Sequence, residues 1–324
     1  MKLTTNNIPM DAAPFFLGLF GRRALRLAVI LALFPGFAHA QQDVMTGQYL
    51  FNEMLVNPAA TGVQESWETM ALQRLQWVEF DGAPNTSVLS AHGGLANRDL
   101  GLGGSLALDA IGITSTLELS ANASYHLDLS TATTLSFGLR GGMLQYRANL
   151  SDVVGIDPAD PVYQGAEIGA WIPRFGFGMR LEGDRWHVGA SAPMLFVLEQ
   201  SLTQGIQPYY RNHLYLHGGM RVDANSWLQL HPSMLLRATP EIPTILDLNV
   251  LATVQDMYTA GLCYRTGSGI TLVTQFLVNS QFRLGYMRDF ATTEIRNYAG
   301  GTHEVFLGWN LASAKPQVVM PQGM

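Results

Sequence analysis

The side chains best placed for chemistry are ionisable groups set at alternate positions within apolar runs: His126, Asp128, Arg140, Arg180, His213, His217, Arg221, Asp223 and Asp247. At every second position they share one face of a strand and project into a common interior. Charged groups in such a place must be paired or hydrated. They therefore predict a salt-bridged, solvated lumen; a selective charged route is the other reading. Other chemistries are less well served. A barrel-surface hydrolase needs a serine activated by a histidine. His92 and His303 have serines available, but no G-x-S-x-G occurs. Asp152, Asp157 and Asp160 lack the Gly and Glu spacing of a calcium loop and read as an exposed acidic loop. A single cysteine, Cys263, leaves no Cys/His cluster for zinc. His92-Gly93-Gly94 reads as a strand running into a turn, and Asn85-Thr86-Ser87 is a glycosylation-like triplet frequent by chance. No enzyme activity, cofactor or metal is expected.

The elements that carry these residues are strands. Residues 113–129 place Leu117, Leu119, Ala121, Ala123, Tyr125, Leu127 and Leu129 on one parity. Glu118, Ser120, Asn122, Ser124, His126 and Asp128 occupy the other. Strict alternation means a strand with one apolar and one polar face. The same pattern recurs: Phe175, Phe177, Met179 and Leu181 oppose Gly176, Gly178 and Arg180, and Leu214, Leu216, Met220 and Val222 oppose His213, His217, Arg221 and Asp223. The predicted fold is all-β: a single antiparallel transmembrane β-barrel of about 14 strands over 67–312, apolar outside and polar inside. Two long connections, 149–171 and 194–210, alternate with tight turns such as Glu182–Arg185 and Thr266–Gly269, as a barrel with two unlike ends requires. Trp77, Trp171, Trp186, Trp227 and Trp309 fall near strand ends, where they would anchor at the lipid interface or pack in a core.

The flanks and the composition agree with export to an outer membrane. Arg22, Arg23 and Arg26, the apolar run Leu27 to Phe34, and Ala38-His39-Ala40 have the three-part form of a signal peptide over 1–40. As a membrane anchor the run is short for a span of about 20 residues. Segment 41–66 contains Asn57-Pro58 and Thr61-Gly62 and is expected at the periplasmic mouth or inside the lumen. The Pro-interrupted tail 313–324 is expected to be flexible. Hydrophobic residues make up 48% and charged residues only 14%, low against about 25% for soluble chains. The excess apolar surface must face lipid. A net charge of −6 argues against nucleic acid.

Specific segments then match a known family. QYLFNEMLVNPAATG at 48–62 resembles its Q-Y-x-F-N and N-P-A pattern, with Asn57, Pro58 and Ala59 in the matching positions. Gln76-Trp77-Val78, Phe80-Asp81-Gly82-Ala83 and Pro84 resemble its Q-W-V-x-F-D-G-A-P block. Segments 173–195 and 232–253 and the last strand THEVFLGWNL are similar too. The chain resembles the PorP/SprF family of the type IX secretion system over about 45–312. Glu53 departs from the family pattern, which commonly has proline there, and the C-terminal extension is atypical.

The resemblance implies a bacterial outer-membrane protein that assists export or surface attachment of proteins with C-terminal sorting domains, in some members a gliding-motility adhesin. It implies as partners the secretion machinery, a secreted cargo, and a periplasmic lipoprotein that holds peptidoglycan. No catalytic residue comes with it. Asn57-Pro58 and Gly82-Ala83-Pro84 have backbone roles in their own right, because proline restricts its predecessor and glycine admits unusual φ. Contact with a partner would be made at the mouths: by 149–171 and 194–210 at one end and 41–66 at the other. The alternative function is an outer-membrane transporter for small hydrophobic substrates.

Overall fold

A computed structural model describes residues 47–64, 66–95, 99–150, 167–197, 212–240 and 242–311. The expected signal peptide and the C-terminal tail lie outside these residues. Fifteen strands run in chain order: β1 (Glu68–Leu75), β2 (Asn85–Gly94), β3 (Leu100–Ile111), β4 (Thr114–Ser130), β5 (Thr133–Asn149), β6 (Glu167–Gly183), β7 (Trp186–Val197), β8 (Leu214–Met220), β9 (Val222–Asn225), β10 (Leu228–Thr239), β11 (Ile242–Val254), β12 (Tyr258–Arg265), β13 (Gly269–Leu277), β14 (Phe282–Ala291) and β15 (Thr302–Asn310). Arg221 alone separates β8 from β9, and both pair with β10, so they form one stave of a 14-stave wall. Neighbours pair antiparallel in sequence order. β15 returns to β1 in the register Glu68↔Asn310 to Leu75↔His303, which closes the barrel. Among the described residues no helix is long and apolar enough to cross a membrane. The strands do the crossing.

Alternation sets the two faces. On β4, Leu119, Tyr125, Leu127 and Leu129 are exposed, while Asn122, Ser124 and His126 are buried. Exposed apolar and buried polar side chains invert the usual order, and lipid outside with a filled lumen inside resolves the inversion. Trp171, Trp186, Trp227 and Trp309 lie exposed near strand ends, as an interfacial girdle requires. Trp77 does not join them. It sits half-buried at the rim of an internal cavity, because a left-handed backbone (φ 51°) turns the chain over the barrel mouth.

The strands bound both connections differently from the sequence pattern. β5 runs to Asn149 and β6 begins at Glu167, earlier than expected; β7 continues to Val197 and β8 begins at Leu214, both later than expected. The physical reason is visible at Ala170, Trp171 and Ile172. Ala170 and Ile172 face inward and Trp171 outward, so both faces are apolar there and alternation vanishes.

Segment 47–62 is not a strand. Three 3-10 turns, Gly47–Leu50, Glu53–Leu55 and Pro58–Ala60, fold inside the barrel in the half nearer the tight turns. Phe51, Met54 and Ala59 are fully buried. Phe51 joins inward apolar side chains including Met70, Leu72, Leu251, Val273 and Phe306, a core that the plug and wall build together. Within 47–62 most side chains are buried, and only Gly47 and Leu55 are half-buried. Glycines let the plug sit close. A Cβ at Gly138 would overlap the Pro58–Ala59 backbone, and one at Gly178 would overlap the Asn57 side chain. That is why the F-G-F-G run of β6 turns its phenylalanines outward and its glycines inward.

Candidate functional site

Asn57 organises the plug. Its Oδ1 accepts the Ala59 N–H at 3.0 Å, closing the turn that begins at Pro58. With Oδ1 used, its Nδ2 donates to the Met179 carbonyl at 3.1 Å and to His217 Nε2 at 2.9 Å. His217 Nε2 is therefore the acceptor, and its proton sits on Nδ1, which faces Glu53 Oε1 at 3.2 Å. Arg180 Nε donates to the same Oε1 at 3.1 Å, and Arg180 Nη1 also pairs with Glu182. Burial raises the cost of charge on Glu53. Arg180, by its charge and its hydrogen bond, outweighs it and holds the Glu53 carboxyl below its ordinary range.

Other wall residues grip the plug backbone. Arg140 donates to the Met54 carbonyl at 2.5 Å, to the Leu55 carbonyl at 3.1 Å and to Asn122 Oδ1 at 2.8 Å. His126 Nε2 and Ser124 Oγ converge on the Thr61 carbonyl at 3.0 and 2.5 Å, and Ser136 holds His126 Nδ1 at 2.7 Å. Ser191 Oγ donates to the Val56 carbonyl at 2.6 Å, and Tyr49 OH reaches Asp247 at 3.0 Å. Thus His126, Arg140, Arg180 and His217 are clamps on an internal segment.

The remaining inward candidates sit at the rim of tight turns. Asp128 is exposed and accepts from Thr134 at 2.7 Å. Asp223 is exposed between Arg185 at 3.2 Å and Arg221 at 3.5 Å. Their exposure follows depth along the stave, because the end of a barrel is open to water.

Above the plug lies a cavity of about 1040 Å³, with Leu55 in its floor and Gln76, Trp77 and Pro84 at its rim. Three of its lining arginines form ion pairs: Arg74 with Asp289 and Glu304, Arg174 with Glu118, and Arg265 with Asp247, at 2.7–2.9 Å. Sequence reasoning singled out none of Arg74, Arg174 or Arg265. Inward parity on β1, β6 and β12 was the available signal.

The motif loop 76–84 closes over this rim. Gln76 N–H donates to the Pro84 carbonyl, Val78 exchanges bonds with Gly300 and Gly301, and Gly112 N–H donates to the Gly82 carbonyl. Gly82 has φ 73°, which fits glycine. Phe80 and Asp81 are exposed at the tip.

Metal and hydrolase chemistry fit poorly. Ligand atoms of Glu53, His187 and His217 lie within 4.8 Å of one another. However, both His217 ring nitrogens are engaged, and Arg180 already neutralises Glu53, so a cation would meet a guanidinium. His92 Nδ1 accepts the Gly62 N–H at 3.3 Å, and His303 Nδ1 bonds the Tyr286 hydroxyl at 2.7 Å on the outer face. Both rings join segments of the fold.

The chain has a named counterpart among protein families. The model of the type IX secretion system membrane protein PorP/SprF matches residues 38–309. The chain belongs to the PorP/SprF family. No curated protein matches it. Among solved structures, the CymD monoaromatic hydrocarbon channel is 10% identical with a TM-score of 0.51, covering 84% of this chain and 94% of that one. A Pseudomonas aeruginosa FadL homologue is 10% identical with a TM-score of 0.48, covering 82% and 94%. Acinetobacter baumannii Omp33 is 9% identical with a TM-score of 0.42, covering 77% and 100%. The likeness to CymD shows the fold alone. This PorP/SprF protein is an outer-membrane β-barrel.

Proposed function

We propose that this PorP/SprF protein is a plugged docking barrel, which holds a secreted protein or a machinery component at its long-loop end by non-covalent contact. The observation that carries the reading is the occupied lumen. The wall residues that could have lined a route instead clamp the fixed segment 47–62. The cavity above the plug has the size of a recognition site. On this reading the cargo carries a C-terminal sorting domain, a gliding adhesin being one such protein. Lipid covers the apolar outer face. A peptidoglycan-holding lipoprotein would meet the tight-turn end.

The test compares surface and culture-medium proteomes of the wild type and a deletion strain. The expected result is selective loss of proteins with C-terminal sorting domains. An unchanged set would overturn the docking reading.

One observation favours the second reading, transport of small hydrophobic substrates. Among the described residues the β7–β8 ladder stops at Ser191↔Tyr215, although β7 continues to Val197. Pro193, Met194, His213 and Tyr215, which flank this seam, line the cavity. Flux of a monoaromatic compound into liposomes carrying the purified barrel would support transport; sealed liposomes would support docking.

A further inference from the structure

The loop 76–84 is held in one shape at considerable backbone strain. Trp77 and Glu79 have φ of 51° and 73°, a region that non-glycine side chains rarely occupy. Strain of this kind persists only where the surroundings over-determine the conformation. Here the surroundings do so from three sides. Within the loop, Phe80 N–H donates to the Trp77 carbonyl at 3.0 Å and Ala83 N–H to the Phe80 carbonyl at 3.1 Å. Toward β15, Val78 N–H donates to the Gly301 carbonyl at 2.9 Å, Gly300 N–H returns to the Val78 carbonyl at 2.6 Å, and Trp77 N–H reaches Thr302 Oγ1 at 3.2 Å. Toward β3, Gly112 N–H donates to the Gly82 carbonyl at 2.9 Å.

The product of this scaffolding is an exposed tip. Phe80 is 46% exposed, with its ring edge-on to Trp77 at 6.5 Å. Glu79 and Asp81 flank it, both exposed, and among the described residues neither forms an ion pair. The loop itself contains no lysine or arginine.

We propose that Glu79-Phe80-Asp81 is a preformed docking element, which inserts Phe80 into an apolar pocket rimmed by basic side chains on a protein partner at the long-loop end. The proposal rests on the docking reading above and names its contact. An aromatic anchor in a rigid loop gives affinity because little ordering entropy is lost on binding. Two unpaired carboxylates beside it select a basic partner and discourage wrong ones. The competing role for Phe80 is insertion into the lipid interface. Carboxylates on both sides oppose it, because they would have to follow the ring toward hydrocarbon.

The test uses the full protein in cells, with Phe80→Ser, Phe80→Trp and the double change Glu79→Lys/Asp81→Lys. Two quantities are measured: export of the proteins lost from the deletion strain, and the unfolding temperature of each purified barrel in phospholipid vesicles. The expected result is at least a tenfold fall in export for Phe80→Ser and for the charge reversal, with unchanged unfolding temperatures. Phe80→Trp should retain most export. Normal export in every variant overturns the tip assignment while leaving the docking reading intact. A lower unfolding temperature for Phe80→Ser with normal export assigns Phe80 to lipid and overturns the proposal. A deletion strain that exports its full set overturns both readings. The charge reversal lies on exposed side chains, so it tests the contact even if Phe80→Ser misfolds.

Discussion

Asn57 Nδ2 and His217 Nε2 lie 2.9 Å apart, joining the plug to β8 across the lumen. The bond fixes the histidine tautomer and, through Nδ1, ties the ring to Glu53, which Arg180 holds from β6. A single amide thus couples the turn at Pro58 to two staves of the wall.

Removing that amide should loosen the plug without opening the wall. Asn57→Ala leaves His217 and the Met179 carbonyl without their donor, a loss of about 1–3 kcal/mol. Hydrogen exchange should quicken across 47–62 while β4 to β6 keep their protection. Unchanged exchange in the plug would show that the other clamps suffice.

Glu53 should be more sensitive. Glu53→Gln keeps the shape but strips a buried carboxylate from Arg180 and His217, and breaking a buried pair from one side costs about 3–5 kcal/mol. The partner Glu182 at Arg180 softens the loss. Protease cleavage within 47–62 reads the outcome. Cleavage no faster than in the wild type would contradict the ion-pair account.

The same pair sets an acid limit. The folded carboxyl of Glu53 titrates below its usual value of 4.5. Its stabilising contribution is therefore complete above that value and is lost as pH falls through the lower folded one. Plug protection should hold from neutral pH down to about 5 and fail only in stronger acid. Hydrogen exchange measured across that range checks it; loss of protection near pH 6 would point to a histidine instead.

Close packing gives a steric test. Gly138→Ala places a methyl group where the Pro58–Ala59 backbone runs. The plug should shift, and the variant should conduct more current in planar bilayers than the wild type. Unchanged current would mean that the wall gives way instead.

The β7–β8 seam should be the soft line of the wall. Among the described residues the β7–β8 register ends at Ser191↔Tyr215, short of 192–197. Amides of 192–197 should exchange faster than those of 186–191, and equal rates would show that another segment covers the edge.

The barrel was legible in the sequence because a strand in lipid must alternate. Leu119, Tyr125 and Leu127 against Asn122, Ser124 and His126 fix faces and spans without any long-range information. The pattern failed at Ala170–Ile172, where both sides are apolar, and parity carries no depth, which is what leaves Asp128 and Asp223 exposed at a barrel end. The motif residues Asn57, Gly82 and Pro84 were legible as turn formers, since proline and glycine act on their own backbone. What closes across the lumen was not. Glu53 stood out only as an unusual residue, and its meaning depends on Arg180 and His217, far away in the chain. A strand pattern states which face is polar, but hydrogen-bond partners are chosen by shear, closure and the path of the plug. Those are properties of the closed wall, so the tertiary structure alone decided that the polar lumen is a socket for the chain's own N-terminal segment.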